Sequence, residues 1–173
     1  GYEAEDAAKI SDILLKTQND GKTIVQELAG SMGTVIPTAA AYNVSLENLS
    51  AAYVVMTKKG INTARSTTFL NSMFTELERE SSDVSKTLQE KTGKSFAQLM
   101  DDGKSLGDVL QILYKAVGED DEAFARLWKN NIPSQELYPT VSMIRNTSAE
   151  YSNFALLFCI FPGYPERTYP KRQ

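Results

Sequence analysis

Apolar side chains recur every three or four residues along most of the chain up to about residue 130, and this spacing predicts α-helices. The first predicted helix, Glu3–Gln18, has inward positions at Ala7, Ile10, Leu14 and Thr17. The next helix follows Thr23-Ile24-Val25-Gln26, which has the form of a capping box in which Thr23 and Gln26 each bond a free backbone amide. Its predicted apolar face consists of Ile24, Val25, Leu28, Ala29 and Met32.

Residues that favour helix ends separate the later apolar stripes. N-caps are predicted at Ser45, Asn62, Ser105 and Asp120, and helix ends at Gly60, Gly93 and Gly118. The stripes are Leu46, Leu49, Tyr53 and Met56; Phe69, Leu70, Met73, Phe74 and Leu77; Leu106, Val109, Leu110, Leu113 and Val117; and Phe124, Leu127 and Trp128. Two short helices are predicted near Val84–Glu90 and at Phe96–Met100.

The predicted fold is all-α, a compact bundle of several short antiparallel helices with an irregular C-terminal tail. Alternation typical of strands is nearly absent before residue 137, and Asp20-Gly21 and Asp102-Gly103 are interpreted as helix ends rather than hairpin turns. Connections of two to six residues favour antiparallel packing of neighbours. One buried core is predicted to contain Phe69, Leu70, Phe74, Leu77, Leu110 and Leu113.

The chain divides into three predicted regions. Residues 1–132 form the helical core segment, residues 133–160 a helical extension, and residues 161–173 an extended tail broken by Pro162, Pro165 and Pro170. The longest apolar run, Ala155–Phe161, is seven residues long. A spanning helix needs roughly 20, so no transmembrane segment is predicted. The opening Gly1-Tyr2, without an initiator methionine, is the start expected of a fragment or a processed chain.

Composition narrows the chemistry that the chain can perform. The sequence has no histidine, one cysteine (Cys159) and a net charge of -4. The commonest general base and metal ligand is therefore missing, and no disulfide can form within the chain. We predict a protein that is not an enzyme and has no catalytic, cofactor-binding or metal-binding residues. The segment Glu76–Glu122 holds twelve acids and six bases, which disfavours binding to a nucleic-acid backbone.

The tripeptide Gly-Lys-Ser occurs twice, at residues 93–95 and 103–105, and suggests phosphate binding at first sight. A phosphate-binding P-loop also needs a glycine five residues before the Gly-Lys pair, and these positions are Leu88 and Gln98. We therefore interpret both tripeptides as places where one helix stops and the next is capped.

Two acidic clusters are candidates for a site. The run Glu119-Asp120-Asp121-Glu122 lacks the turning glycine of a calcium loop and is expected in the first turn of a helix. Glu76, Glu78 and Glu80 do not share one helical face, so they do not predict a carboxylate pair. The alternative that remains is carboxylate chemistry assembled from distant positions such as Glu47, Glu76 and Asp108.

The order of the segments resembles that of a known family. Residues 28 to about 132 resemble the core region of phage tail tape measure proteins. The matching segments include Gly33–Ala40, Val44–Ala52, Thr57–Asn62, Phe69-Leu70, Ser82–Val84, Ser105–Leu110 and Leu127-Trp128. Each segment alone is weak evidence for the family, but the joint order of the segments over about a hundred residues is specific to it.

The resemblance implies a virion structural protein of a phage or prophage. Such proteins are long helical chains that fill the tail tube, and their length sets the length of the tail. The implied partners are the tail tube, assembly chaperones and tail tip, or further copies of the chain. The implied locations are the virion tail and, during assembly, the host bacterial cytoplasm.

The sequence also departs from the family pattern. It is far shorter than a complete tape measure, Pro133 and Pro139 interrupt the helix expected after Trp128, and no resemblance extends beyond Phe161. A prophage-derived helical interaction or regulatory module is the alternative function. A cell-wall hydrolase is disfavoured by the missing histidine and the missing carboxylate pair.

Overall fold

A computed structural model of the protein describes residues 7–128, and within this range every regular element is an α-helix. The helices are α1 (Ala7–Asp20), α2 (Val25–Ala41), α3 (Leu46–Lys58), α4 (Thr63–Glu78), α5 (Asp83–Thr92), α6 (Phe96–Asp101), α7 (Leu106–Ala116) and α8 (Asp121–Leu127). The all-α prediction is confirmed. None of these helices is both long and apolar enough to cross a membrane.

Five of the connections use the same short corner, in which a residue in the left-handed conformation stands two positions before the next N-cap. The left-handed residues are Asn43, Gly60, Gly93, Gly103 and Gly118, with φ angles of 56°, 92°, 70°, 82° and 77°. The N-caps are Ser45, Asn62, Ser95, Ser105 and Asp120, and each side chain accepts a hydrogen bond from the amide three residues on. Both ends of each corner thus satisfy backbone groups that a helix leaves free. The predicted caps at Ser45, Asn62, Ser105 and Asp120 are confirmed.

The capping box predicted at Thr23 and Gln26 is wrong. Helix α2 begins at Val25, and its N-cap residue, Ile24, makes no side-chain hydrogen bond. The Thr23 hydroxyl lies 2.7 Å from the hydroxyl of Thr63, and the Val25 amide donates to the Gln18 side chain at 2.8 Å. Contacts with other helices therefore take the place of the local cap.

The predicted inward faces of α1 and α2 need correction. In α1, Ile13 and Thr17 are buried, Ile10 and Leu14 are partly buried, and Ala7 is exposed. In α2, Leu28 and Met32 are buried as predicted, whereas Ile24 is half exposed and Ala29 is exposed. The buried face of α2 continues through Val35 and Ala39, and the helix runs on past Pro37.

The predicted core is confirmed. Phe69, Leu70, Phe74, Leu77, Leu110 and Leu113 all belong to one buried cluster, to which each of the eight helices in residues 7–128 contributes. Phe74 and Phe96 stack within it, with ring centroids 6.1 Å apart and planes 20° from parallel. This continuous cluster joins α1–α4 to α5–α8.

The most extensive helix contacts join α1 to α3, α2 to α4 and α5 to α7. Lys9, near the start of α1, pairs with Glu47 near the start of α3, and the amide of Lys22, just after α1, donates to Thr57 near the end of α3. Helices α1 and α3 therefore run side by side in the same direction. Two helices that are separated by one other helix in the chain, such as α1 and α3, run parallel when each helix reverses the direction of the one before it.

Several sequence predictions lie outside the described residues. These are the start of the first helix before Ala7, the end of the core segment after Trp128, the extension at 133–160 and the tail at 161–173. Cys159 lies in the same undescribed region.

Candidate functional site

The two Gly-Lys-Ser tripeptides form helix junctions, as predicted. The Ser95 hydroxyl accepts from the Gln98 amide at 3.3 Å, while the Gln98 side chain accepts from the Ser95 amide at 2.9 Å. Ser105 and Asp108 make the corresponding pair, at 3.1 and 2.9 Å. Both serines thus cap helices through complete capping boxes.

The acidic run at the start of α8 has a structural role as well. Asp120 is the N-cap and accepts from the Ala123 amide at 2.6 Å, while Glu122 forms an ion pair with Arg126 one turn along the helix. Within residues 7–128, no three side chains of a metal-binding type come together as a site.

The glutamates at the end of α4 point to different partners. Glu76 is fully buried, and its two carboxylate oxygens accept from the same nitrogen, Nη2 of Arg79, at 2.7 and 2.8 Å. Glu78 accepts from the Ala97 amide at 2.7 Å and so holds the start of α6 against the end of α4. Glu80 is exposed. Glu78 therefore connects α4 to α6, and Glu76 and Glu78 have separate partners rather than forming a carboxylate pair.

The three distant acids that could have formed a carboxylate site each have a different partner. Glu47 pairs with Lys9 at 3.2 Å, Glu76 with Arg79, and Asp108 with Ser105. The burial of Glu76 does not follow from the apolar pattern of the sequence. The available signal was its place directly before Leu77 on the apolar face of α4, with an arginine three residues on.

A cluster of hydroxyl groups, which we call the threonine junction, joins the α1–α2 turn to the ends of α3 and α4. It consists of Thr23, Thr57 and Thr63. The Thr57 hydroxyl accepts from the Lys22 amide at 3.1 Å and donates to the Tyr53 carbonyl at 2.8 Å. The Thr63 hydroxyl lies 2.7 Å from that of Thr23 and donates to Glu27 at 3.2 Å. Polar contacts therefore fix this turn in place.

Gly21 lets the turn approach α3 closely. A β-carbon at this position would lie 2.7 Å from the Thr57 hydroxyl and 2.8 Å from the carbonyl oxygen of Thr17. Both distances are shorter than a carbon–oxygen contact allows. The absence of a side chain at Gly21 is thus a requirement of the threonine junction.

Tyr53 lies next to this junction, in the interior of the bundle. Burial raises the pKa of Tyr53 to about 12, against the opposing effect of its hydrogen bond with the Thr67 hydroxyl. The phenol is therefore neutral under physiological conditions and contributes to packing and to hydrogen bonding.

The exposed face of α2 differs from an ordinary solvated helix surface. Solvent-facing helix surfaces usually carry charged side chains, yet no charged residue occurs from Leu28 to Leu46. The residues exposed on α2 in this stretch are Ala29, Gly30, Gly33, Thr34, Pro37, Ala40 and Ala41. A β-carbon added at Gly30 or Gly33 would meet nothing within 4 Å, so the packing of the described residues does not require glycine there.

Comparison with known protein families identifies the chain's relatives. Residues 1–129 match the model of the phage-related minor tail protein family. The chain belongs to this family. The resemblance inferred from the order of the sequence segments is thereby confirmed, and the match extends to the N-terminal side of the segment that carried it.

A named relative supports the same assignment. The chain is 34% identical over 111 residues to a probable tape measure protein of Clostridium phage phiCD119. The aligned part is 61% of this chain but 12% of the relative, so the chain spans about an eighth of that protein. No solved structure matches the chain significantly.

The names of the family and of the relative both describe phage tail proteins and point to a structural role in the tail rather than to an enzyme.

Proposed function

We propose that the chain is a folded segment of a tail tape measure protein and that it acts in tail assembly and in setting tail length. The observation that carries this proposal is the similarity to a probable tape measure protein over 111 residues. The proposed mechanism is packing against protein: the tail tube, assembly chaperones and tail tip, or further copies of the chain. The proposed locations are the virion tail and, during assembly, the host cytoplasm.

Two surface properties support packing against protein rather than recognition of nucleic acid. The outer face of α2 lacks charge from Leu28 onward, so burying it against a partner requires no desolvation of ions. The segment Glu76–Glu122 carries twice as many acids as bases, twelve against six, which repels phosphate groups.

Deleting the codons for residues 7–128 from the encoding phage or prophage tests the role in length. If the segment lies in the tube as extended helix, at about 1.5 Å per residue, the tail should shorten by roughly 180 Å. If it remains a compact bundle, the loss should be on the order of 35 Å, the diameter expected for a domain of this size. Tail lengths measured by electron microscopy of negatively stained virions distinguish the two cases.

A replacement variant provides the control. An unrelated helical segment of equal length should restore tail length if only length matters, and should fail to restore intact tails if packing of this sequence is required. Tails of unchanged length after the deletion would contradict the proposed role in length. A complete absence of tails, not rescued by the replacement, would assign the segment to assembly alone.

We also infer that the chain acts without catalysis. Support comes from the absence of histidine in the sequence and from the structural partners of Glu47, Glu76 and Asp108. Purified protein should neither hydrolyse nucleotides nor clear bacterial cell walls. Clearing that disappears on replacing one of these acids by its amide would overturn this inference.

A further inference from the structure

The face of α3 that α1 covers can be identified from two contacts. The Lys9 ammonium lies 3.2 Å from the Glu47 carboxylate, and the Lys22 amide donates to Thr57 at 3.1 Å. Between Glu47 and Thr57, the helical repeat places Ser50 and Val54 on the same side of α3. We call these four residues, Glu47, Ser50, Val54 and Thr57, the covered stripe.

The covered stripe offers α1 little apolar surface, because Val54 is its only apolar member. The pair of Lys9 and Glu47 is partly open to solvent, with side-chain exposures of 47% and 18%, and such pairs stabilise weakly. The Ser50 hydroxyl is buried and has no hydrogen-bond partner, so closing α1 over it is opposed by the lost hydration of that group.

Helix α1 contributes little apolar surface in return. Ile13 is its one fully buried large apolar residue, while Thr17 is buried but donates to the Ile13 carbonyl of its own helix at 2.7 Å. Ile10 and Leu14 are only partly buried, and Leu15 is half exposed. Helix α4, by contrast, buries Phe69, Leu70, Met73, Phe74 and Leu77.

The attachment of the α1–α2 turn is also polar. It depends on the threonine junction and on the bond from the Val25 amide to Gln18, and each such hydrogen bond contributes modestly when water can replace it. Opening α1 would therefore withdraw Ile13, Ile10 and Leu14 from the apolar cluster, while the buried residues of α2–α8 stay packed on one another.

From these contacts we propose that α1 is a releasable strap over α3. The strap opens together with the α1–α2 turn while α2–α8 stay folded, and the opening exposes the covered stripe. The protein can therefore present two different surfaces, one with α1 closed over α3 and one with α1 released. This inference goes beyond the proposed role in tail packing. Its mechanism does not depend on that role.

Native-state hydrogen exchange of the full chain, followed by mass spectrometry at low denaturant concentrations, tests the strap. The amides of α1 and the Lys22 amide should exchange together, at least about tenfold faster than those of α3 and α4, because they require only a local opening. Equal protection of α1, α3 and α4 at every denaturant concentration would overturn the proposal. Fast exchange in α1 with a protected Lys22 amide would also overturn it, since that pattern is fraying of the helix.

Three variants test whether the strap opens independently of the core. Phe74→Leu should speed exchange in α3 and α4 but leave α1 unchanged, because Phe74 stays packed when the strap is open. Ser50→Ala should slow exchange in α1, because it removes the unpaired hydroxyl from the closed state. Ser85→Ala is the matched control in α5, a helix that packs on α4 and α7, and should leave α1 unchanged. Acceleration of α1 and the core by the same factor in Phe74→Leu would show a single cooperative unit.

Discussion

The buried carboxylate of Glu76 receives both of its hydrogen bonds from one nitrogen of Arg79, at 2.7 and 2.8 Å, one helical turn away. The arginine side chain is 35% exposed and the glutamate is not exposed at all, so the arginine covers a charge that the core contains. The Ser82 hydroxyl donates to the Glu76 carbonyl at 2.6 Å and is also the N-cap of α5. The pair therefore lies where α4 turns into α5.

Removing only Arg79 should destabilise the protein strongly. Arg79→Met leaves Glu76 buried without a partner, and we expect a loss on the order of 3 kcal/mol, since an uncompensated buried charge is unfavourable. The double variant Glu76→Met/Arg79→Met should recover most of this loss, because it removes both charges and retains apolar volume. Urea unfolding of the two variants measures the difference. Equal destabilisation by the single and double changes would contradict this account of the pair.

Phe74 should be among the residues most important for stability. It is fully buried and stacks on Phe96, so Phe74→Ala should lower the free energy of unfolding by about 3–5 kcal/mol. Leu15→Ala, at a half-exposed position, is the control and should change stability by less than about 0.5 kcal/mol. A loss below about 1 kcal/mol for Phe74→Ala would show that the α4 stripe is not part of a packed core.

Glycine-to-alanine substitutions should have opposite effects in α2 and in the turn before it. Gly30→Ala and Gly33→Ala should each stabilise the protein by about 0.5–1 kcal/mol, because alanine favours helix and the added carbon meets nothing within 4 Å. Gly21→Ala should destabilise it, because the new carbon would lie 2.7 Å from the Thr57 hydroxyl. Thermal unfolding of the three variants measures the signs. A stabilising Gly21→Ala would contradict the close packing of the threonine junction.

Tyr53 should make stability sensitive to alkaline pH. Burial raises the pKa of Tyr53 to about 12, whereas an unfolded tyrosine has a pKa near about 10. The stabilising contribution of the buried, neutral phenol is therefore complete below about pH 10. That contribution is lost as the pH rises towards about 12, by an amount on the order of 2–3 kcal/mol.

Tyr53→Phe provides the comparison for this prediction, because the other tyrosines titrate equally in both proteins. Urea unfolding of each at several values between about pH 9 and about pH 12 should show a steeper loss for the wild-type protein. Parallel curves would show that Tyr53 ionises in the folded protein as readily as in the unfolded chain.

Sequence alone determined where most helices among the described residues begin and end. Ser45 and Asn62 cap α3 and α4 as predicted, because each cap is a hydrogen bond to an amide three residues away and needs nothing from the rest of the fold. The α4 stripe was equally predictable, because strongly apolar residues at helical spacing have one low-energy orientation, towards the core. The family resemblance also came from the linear order of segments.

Only the tertiary structure decided how polar and weakly apolar residues are used. Thr23 could cap a helix or bond another hydroxyl, and the nearness of Thr63, forty residues away, decided in favour of the second. Ile13 rather than Ala7 is buried in α1, because the face that points inward is set by where α3 lies. Glu76 enters the core because Arg79 folds over it. Contacts between residues distant in sequence thus selected the outcome for Thr23 and Ile13, whereas the partner of Glu76 lies three residues away in the sequence.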